Sequence, residues 1–125
     1  MPAKKMDFEV VRQIAKALPD VEESSLHGVP SLKVYGRLLT CPALHRSAEA
    51  DSLVVRIGFD KREELIAAEP RIYYVTDHYV NHPAVLVRLG QIDRGSLLNL
   101  LGLAWRFAGT KKRASKRGGR RRNAS

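Results

Sequence analysis

Between Phe8 and Leu18 the residues Phe8, Val11, Ile14, Ala15 and Leu18 recur at three- and four-residue intervals, which places them on one face of a helix. Asp7 stands where an N-cap belongs, and Met6 and Val11 are spaced as a hydrophobic staple. Pro19 ends the helix, because it lacks an N–H and disfavours helical geometry in the residue before it. From Ser31 the period changes to two. Leu32 and Val34 alternate with Ser31, Lys33 and Tyr35, predicting a strand over 31–35 with one buried face. Gly36-Arg37 then reads as a two-residue type II′ turn, with glycine at the first central position, leading into a strand over Leu38–Cys41.

Pro42–Asp51 reads as a loop, and Ser52–Gly58 as a third strand with Leu53, Val55 and Ile57 on one side and Val54 and Arg56 on the other. Asp60-Lys61-Arg62-Glu63 has the capping-box pattern, with Asp60 as the cap of a short helix that Pro70 closes after Glu69. Ile72–Val75 and Ala84–Leu89 are strand candidates on either side of a polar, aromatic loop, Thr76–Pro83. Asp93 caps a last helix with a stripe of Leu97, Leu98, Leu101, Ala104, Trp105 and Ala108. Leu100, Leu103 and Phe107 widen that stripe, so this helix is expected to be covered on most of its circumference. Helices at both ends with strands in hairpin-like succession between them predict an α+β fold. It is a single compact domain whose antiparallel sheet carries the N- and C-terminal helices on one face.

The chain has 125 residues, the length of one domain. One cysteine, Cys41, excludes an intrachain disulfide framework and suits a reducing compartment, so a cytoplasmic location is expected. The opening MPAKKM carries two lysines but is followed by Asp7 and Glu9 instead of an apolar stretch, so no secretory signal is expected. The longest apolar run, Leu97–Trp105, is broken by Asn99 and falls well short of the ~20 residues of a membrane span.

Charge divides the chain. The net charge is +9, from 22 basic and 13 acidic residues. Lys111, Lys112, Arg113, Lys116, Arg117, Arg120, Arg121 and Arg122 form a run of eight cations without an anion at 110–125. Removing these eight from the 22 leaves 14 basic against 13 acidic residues over 1–109, so the rest is almost neutral. The run holds no apolar residue larger than alanine and is expected to be a disordered basic tail, after a flexible start at 1–6 and a domain at 7–109. Such a run suits a polyanion, and Arg117-Gly118-Gly119-Arg120 resembles one RGG-type unit. The plainer alternative is a solubilising tail.

Several stretches read together as a family. Leu18-Pro19-Asp20-Val21-Glu22-Glu23-Ser24 leads into Gly28-Val29-Pro30-Ser31-Leu32-Lys33-Val34. Val55-Arg56-Ile57-Gly58-Phe59-Asp60-Lys61-Arg62-Glu63 and Tyr73-Tyr74-Val75-Thr76-Asp77-His78-Tyr79 follow, then Pro83 and Val85-Leu86-Val87-Arg88-Leu89. In order and spacing this set, spanning roughly 7–108, resembles the MmcQ/YjbR family of small bacterial proteins. The resemblance implies a CyaY-like α+β domain, and it implies DNA binding only as far as a fold-level analogy to a double-wing arrangement reaches. It implies no cofactor and no catalytic residue. The basic tail departs from the family pattern, which ends near the last helix.

The residues offer two candidate sites. Lys33, Arg56 and Arg88 lie on proposed strands, and if they share a face they would track phosphates, with Tyr35 and Tyr79 available for base stacking. The alternative is an ordinary solvated face balanced by carboxylates such as Asp51 or Glu63. Thr76, Asp77, His78 and Tyr79 form the densest polar cluster. There His78, oriented by Asp77, would exchange protons or contact a ligand. The alternative is a loop that pins itself through local backbone bonds. Cys41-x3-His45 and His78-x3-His82 have metal-ligand spacings, but Asn81 and Pro83 oppose the helix that the second pair needs, so no metal is expected.

Two functional expectations follow. The first is a non-enzymatic DNA-binding or nucleic-acid-associated protein of low sequence preference, with phosphate affinity mainly from the tail. The second is a protein- or small-ligand-binding domain that uses the 76–83 loop and the sheet face. A basic sheet face would favour the first, and a concave apolar pocket beside His78 the second.

Overall fold

The computed structural model describes residues 6–26 and 28–124, apart from the side chains of Leu26 and of 110–124. The elements run α1 (Phe8–Lys16), β1 (Val21–Leu26), β2 (Val29–Val34), β3 (Arg37–Pro42), β4 (Ser52–Arg56), α2 (Phe59–Ala68), β5 (Tyr73–Tyr74), β6 (Ala84–Arg88) and α3 (Arg94–Ala124). The strands form one six-stranded antiparallel sheet in the order β1-β2-β3-β4-β6-β5. This is the predicted α+β architecture. Of the flexible start expected at 1–6, residues 1–5 lie outside the described residues, and Met6 packs against the core; at 110–124, where a disordered tail is expected, the backbone continues α3, while the side chains there lie outside the described residues. No helix among the described residues is long and apolar enough to cross a membrane.

Local rules account for the helices. The Asp7 carboxylate accepts the Val10 N–H at 3.1 Å, and α1 buries Val10, Val11, Ile14 and Ala15. Asp93 accepts the Ser96 N–H at 2.7 Å and so opens α3. That helix buries Leu97, Leu100, Leu101, Ala104 and Ala108, whereas Leu98 stays half exposed to solvent. The Trp105 indole N–H donates to the Pro19 carbonyl at 2.8 Å, tying α3 to the end of α1. The start of α2 differs from expectation. Gly58 is its N-cap, without a side-chain bond, and Asp60 sits inside the first turn, where its charge still complements the helix dipole.

Two strand features also depart from the sequence pattern. β1 is a polar run, VEESSL, without apolar alternation. On the side of the sheet that carries α1, its exposed Glu23 accepts from Arg12 at 3.0 Å and Lys16 at 2.8 Å instead. The hairpin turn is centred one residue earlier than expected. Val34 pairs with Arg37, and the two turn residues, Tyr35 and Gly36, have φ of 55° and 75°. Both positive values make it a type I′ turn, not II′.

The register then slips. Leu32 pairs with Thr40 and Lys33 with Leu38, leaving Leu39 as a bulge residue. Leu39 points into the main core with the three helices, while Leu38 and Cys41 both fall on the opposite face. That second face is also apolar: Cys41, Ala43, Val54, Ala84 and Leu86 cluster there, with Leu38, Ala48, Tyr74 and Tyr79 packed against them. The sheet therefore has a helix-covered face and a second face partly roofed by loops 43–51 and 75–83.

Candidate binding cleft on the open face of the sheet

Between those two loops lies a cleft of about 570 Å³. Leu38, Cys41, Val54, Arg56 and Ala84 form its floor, Pro42 and Leu44 one wall, and His78, Tyr79, His82 and Pro83 the other. The bulge matters here, because it places Leu38 and Cys41 together on this floor.

The two loops are clasped to each other. The His45 and His78 rings stack with centroids 3.5 Å apart and an interplanar angle of 7°. Tyr79 meets both edge-on, at 4.8 Å from His78 and 6.2 Å from His45. Ser47 Oγ and Thr76 Oγ1 are hydrogen-bonded at 2.8 Å. His45 Nδ1 accepts the Ser47 N–H at 3.0 Å, which assigns the ring proton of neutral His45 to Nε2. Burial, then the neighbouring His78 and Arg46, hold His45 below the usual imidazole range.

Two arginines fasten the loops to the body. Buried Arg62 on α2 donates from Nη1 to the carbonyls of Val80 and His82, both at 3.1 Å, and more weakly to that of Ala84 at 3.4 Å. Arg88 grips Glu49 through Nε at 2.9 Å and Nη2 at 2.8 Å, and its Nη1 donates to the carbonyls of Pro70 and Arg71. Its guanidinium lies 4.2 Å over the Tyr74 ring, and the Tyr74 hydroxyl accepts the Glu49 N–H and bonds Ser52 Oγ. Arg88 lowers the Glu49 carboxyl below its ordinary range by hydrogen bond and charge.

The predicted residues can now be placed. By strand alternation and register, Lys33, Arg56 and Arg88 do share the open face, but not as a field of available cations. Arg88 is engaged by Glu49 and two carbonyls, and Lys33 stands in register opposite Glu22 of β1. Arg56 is half-buried in the cleft floor, with its Nε buried and without a hydrogen-bond partner. Burial and the neighbouring Arg37 pull its guanidinium below the ordinary value, which still leaves a cation at neutral pH.

In the loop, the Thr76 hydroxyl bonds across to Ser47 while its carbonyl accepts the Tyr79 N–H at 2.9 Å, one of the local backbone bonds expected of a self-pinned loop; the ring partner of His78 is His45, and Asp77 is exposed. Cys41 is buried in the floor, and burial pushes its thiol up, opposite to what a nucleophile needs. Among the described residues, no group of three or more His, Cys, Asp or Glu side chains converges as for a metal. The pattern reading missed Arg62, which it assigned to a helix start, and the anchoring role of Tyr74. It did single out His45 and His78, through their spacing from Cys41 and His82.

No family model matches the chain. Over 41 residues it is 49% identical to the uncharacterized proteins Rv2570 of Mycobacterium tuberculosis and Mb2600 of Mycobacterium bovis. That stretch is 33% of this chain, and the chain spans about a third (32%) of the length of these curated relatives. Its fold matches the crystal structure of protein DR2400 of Deinococcus radiodurans, which carries a DUF419 domain. The TM-score is 0.64 at 20% identity, over 84% of this chain and 80% of that one. The likeness shows the α+β fold, and function has to be argued from the site.

Proposed function

We propose that this chain is of the MmcQ/YjbR type and works as a small-ligand-binding module, with the cleft between loops 43–51 and 75–83 as its site. The observation that carries this reading is the cleft itself. Its volume of about 570 Å³ lies within the ~300–1,000 Å³ of small-molecule sites, and carbon lines most of it. The stacked imidazoles, Arg62 and the Arg88–Glu49 pair hold the loops around it, so the site is pre-formed and a ligand loses little affinity to loop ordering. The ordered motifs and the fold shared with the DUF419-domain protein support the family assignment.

The test is a titration of the full chain with a neutral apolar probe, 1-octanol, followed by amide and ring resonances. Saturable shifts at Val54, His78, Tyr79 and Ala84 are expected. Shifts scattered over the surface, or none at these residues, would overturn the reading.

A second reading rests on a different observation, the eight cations at 110–125. Under it the tail associates with nucleic acid without sequence preference, and the domain is carried along. If all eight met duplex phosphates, log K against log[salt] would have a slope of about −6 to −7. Replacing the eight with glutamine should abolish duplex DNA binding. Undiminished binding by that variant would return attention to the sheet.

A further inference from the structure

Resting on the cleft reading, we infer that its ligand is an amphipathic oxyanion, an apolar body ending in one carboxylate or phosphate, with the Arg56 guanidinium as the head-group partner.

The inference comes from comparing three arginines. Arg62 places its charge against three backbone carbonyls and Glu63. Arg88 places its charge against Glu49 and two carbonyls. Both therefore follow the rule that charge taken from water is matched by hydrogen bonds. Arg56 breaks that rule. Its Nε is buried with no partner, and the nearest charge acting on it is the like-charged Arg37. Its Nε is closed to solvent, so the part of the guanidinium that lines the cleft is what a ligand's head group would meet.

The surroundings define what such a group would be. No carboxylate is among the residues that line the cleft, so its one permanent charge is positive. A planar guanidinium fork suits the paired oxygens of a carboxylate or phosphate. The rest of the cleft includes Val29, Leu38, Pro42, Leu44 and Val54, which offer carbon and few donors. Leu44, 67% exposed, lines the cleft, where a ligand's apolar body would cover it. One cation at an apolar wall selects one anionic head on an apolar body. A polyanion such as nucleic acid would meet a single charge here and much desolvated carbon, so it fits the cleft poorly.

The experiment compares four eight-carbon probes on the full chain: octanoate, octyl phosphate, 1-octanol and octylammonium. The readouts are the Arg56 Nε–H resonance and the His78 and Tyr79 ring signals. Octanoate or octyl phosphate should bind about tenfold or more tighter than octanol, the weight of a charge-assisted hydrogen bond, and octylammonium weaker than octanol. The tighter of the two anions identifies the head group. On binding, the Arg56 Nε–H signal should shift as the head group meets the cleft-lining part of the same guanidinium.

Arg56→Gln should bring octanoate to within about twofold of octanol, the contribution of the lost charge, while octanol binding persists. If that variant does not fold, the ranking of probes on the natural chain and the Nε–H shift decide alone. Equal binding of octanoate and octanol at the cleft overturns the oxyanion inference and leaves the cleft reading standing. Failure of all four probes to move His78 and Tyr79 overturns both. Octanoate binding that leaves the cleft signals unmoved and survives Arg56→Gln assigns the effect to the basic tail, and also overturns the inference.

Discussion

Replacing Arg62 with methionine keeps most of the buried stem and removes every donor at its end. The guanidinium is almost fully buried and makes two good bonds, to the Val80 and His82 carbonyls at 3.1 Å, plus a weak third to Ala84 at 3.4 Å. A hydrogen bond from a charged group contributes about 1.5–3 kcal/mol to stability. Three effects reduce the sum. The Glu63 carboxylate is 65% exposed, so that ion pair adds little. Val80 and His82 are exposed residues, so water can reach their freed carbonyls. Methionine also avoids the desolvation that a buried cation suffers. The expected net loss is about 2 kcal/mol.

The loss should be local as well as global. Urea unfolding gives the total. Native-state hydrogen exchange gives the distribution, because the amides of Tyr79, His82 and Ala84 bond within the held segment. These three should lose more protection than Val85 and Val87 of β6. A stability change below about 0.5 kcal/mol, the ordinary range for a surface substitution, would refute the assignment of Arg62 as the anchor of the loop. So would a uniform loss of protection across the sheet.

Two further predictions concern titration and reactivity. His45 is held below its ordinary value of 6.5 by burial, His78 and Arg46, so the unfolded chain takes up the proton first as pH falls. Its contribution to stability is therefore complete above about pH 6.5 and is lost as pH drops from there toward the folded value. Urea midpoints measured across this window should fall, and His45→Gln should flatten that slope; an unchanged slope in the variant refutes the role. Burial raises the Cys41 thiol, so reaction with an aromatic disulfide near neutral pH should be about tenfold or more slower than in the urea-unfolded chain. Equal rates would show that the floor of the cleft is open to the reagent.

How much of this was legible depends on what satisfies each segment. α1 and α3 bury apolar residues at a helical period, and β4 and β6, buried on both faces, read as short apolar runs; both patterns are what a sequence displays. β1 is invisible to that criterion because it is a polar edge strand with exposed residues at 22–25, tied to α1 by ion pairs from Glu23 to Arg12 and Lys16 and not by a row of buried carbon. The hairpin turn was misplaced by one residue because Gly36 serves equally at the first position of a II′ turn and the second of a I′ turn. The choice depends on Tyr35 adopting φ of 55°, which nothing in its side chain announces. The bulge at Leu39 likewise follows from how two faces are filled at once. For the site, the polarity of Thr76–Tyr79 was plain, but its meaning lay in a partner loop some 30 residues earlier, at His45 and Ser47. The two spaced pairs, Cys41-x3-His45 and His78-x3-His82, each contribute one member to the contact the fold makes, the His45 and His78 rings face to face.

The same arginines argue that two modes of binding, if both operate, are physically separate. A surface that tracks phosphates needs several accessible cations whose counterions are released on contact. On this sheet two of the three strand cations are taken up, Arg88 by Glu49 and carbonyls and Arg56 in an apolar floor, which leaves Lys33, in register opposite Glu22, and one such cation is too few for a phosphate track. The unbalanced charge of the chain sits at 110–125 instead. Salt therefore separates the two. Association through the tail should weaken steeply as salt rises, following the number of neutralised phosphates. Binding in the cleft joins one desolvated charge to carbon burial, which salt screens weakly and even strengthens on the apolar side. A ligand of the domain should keep its affinity at a salt concentration where duplex DNA has dissociated. Parallel loss of both with rising salt would mean that the cleft contributes nothing of its own.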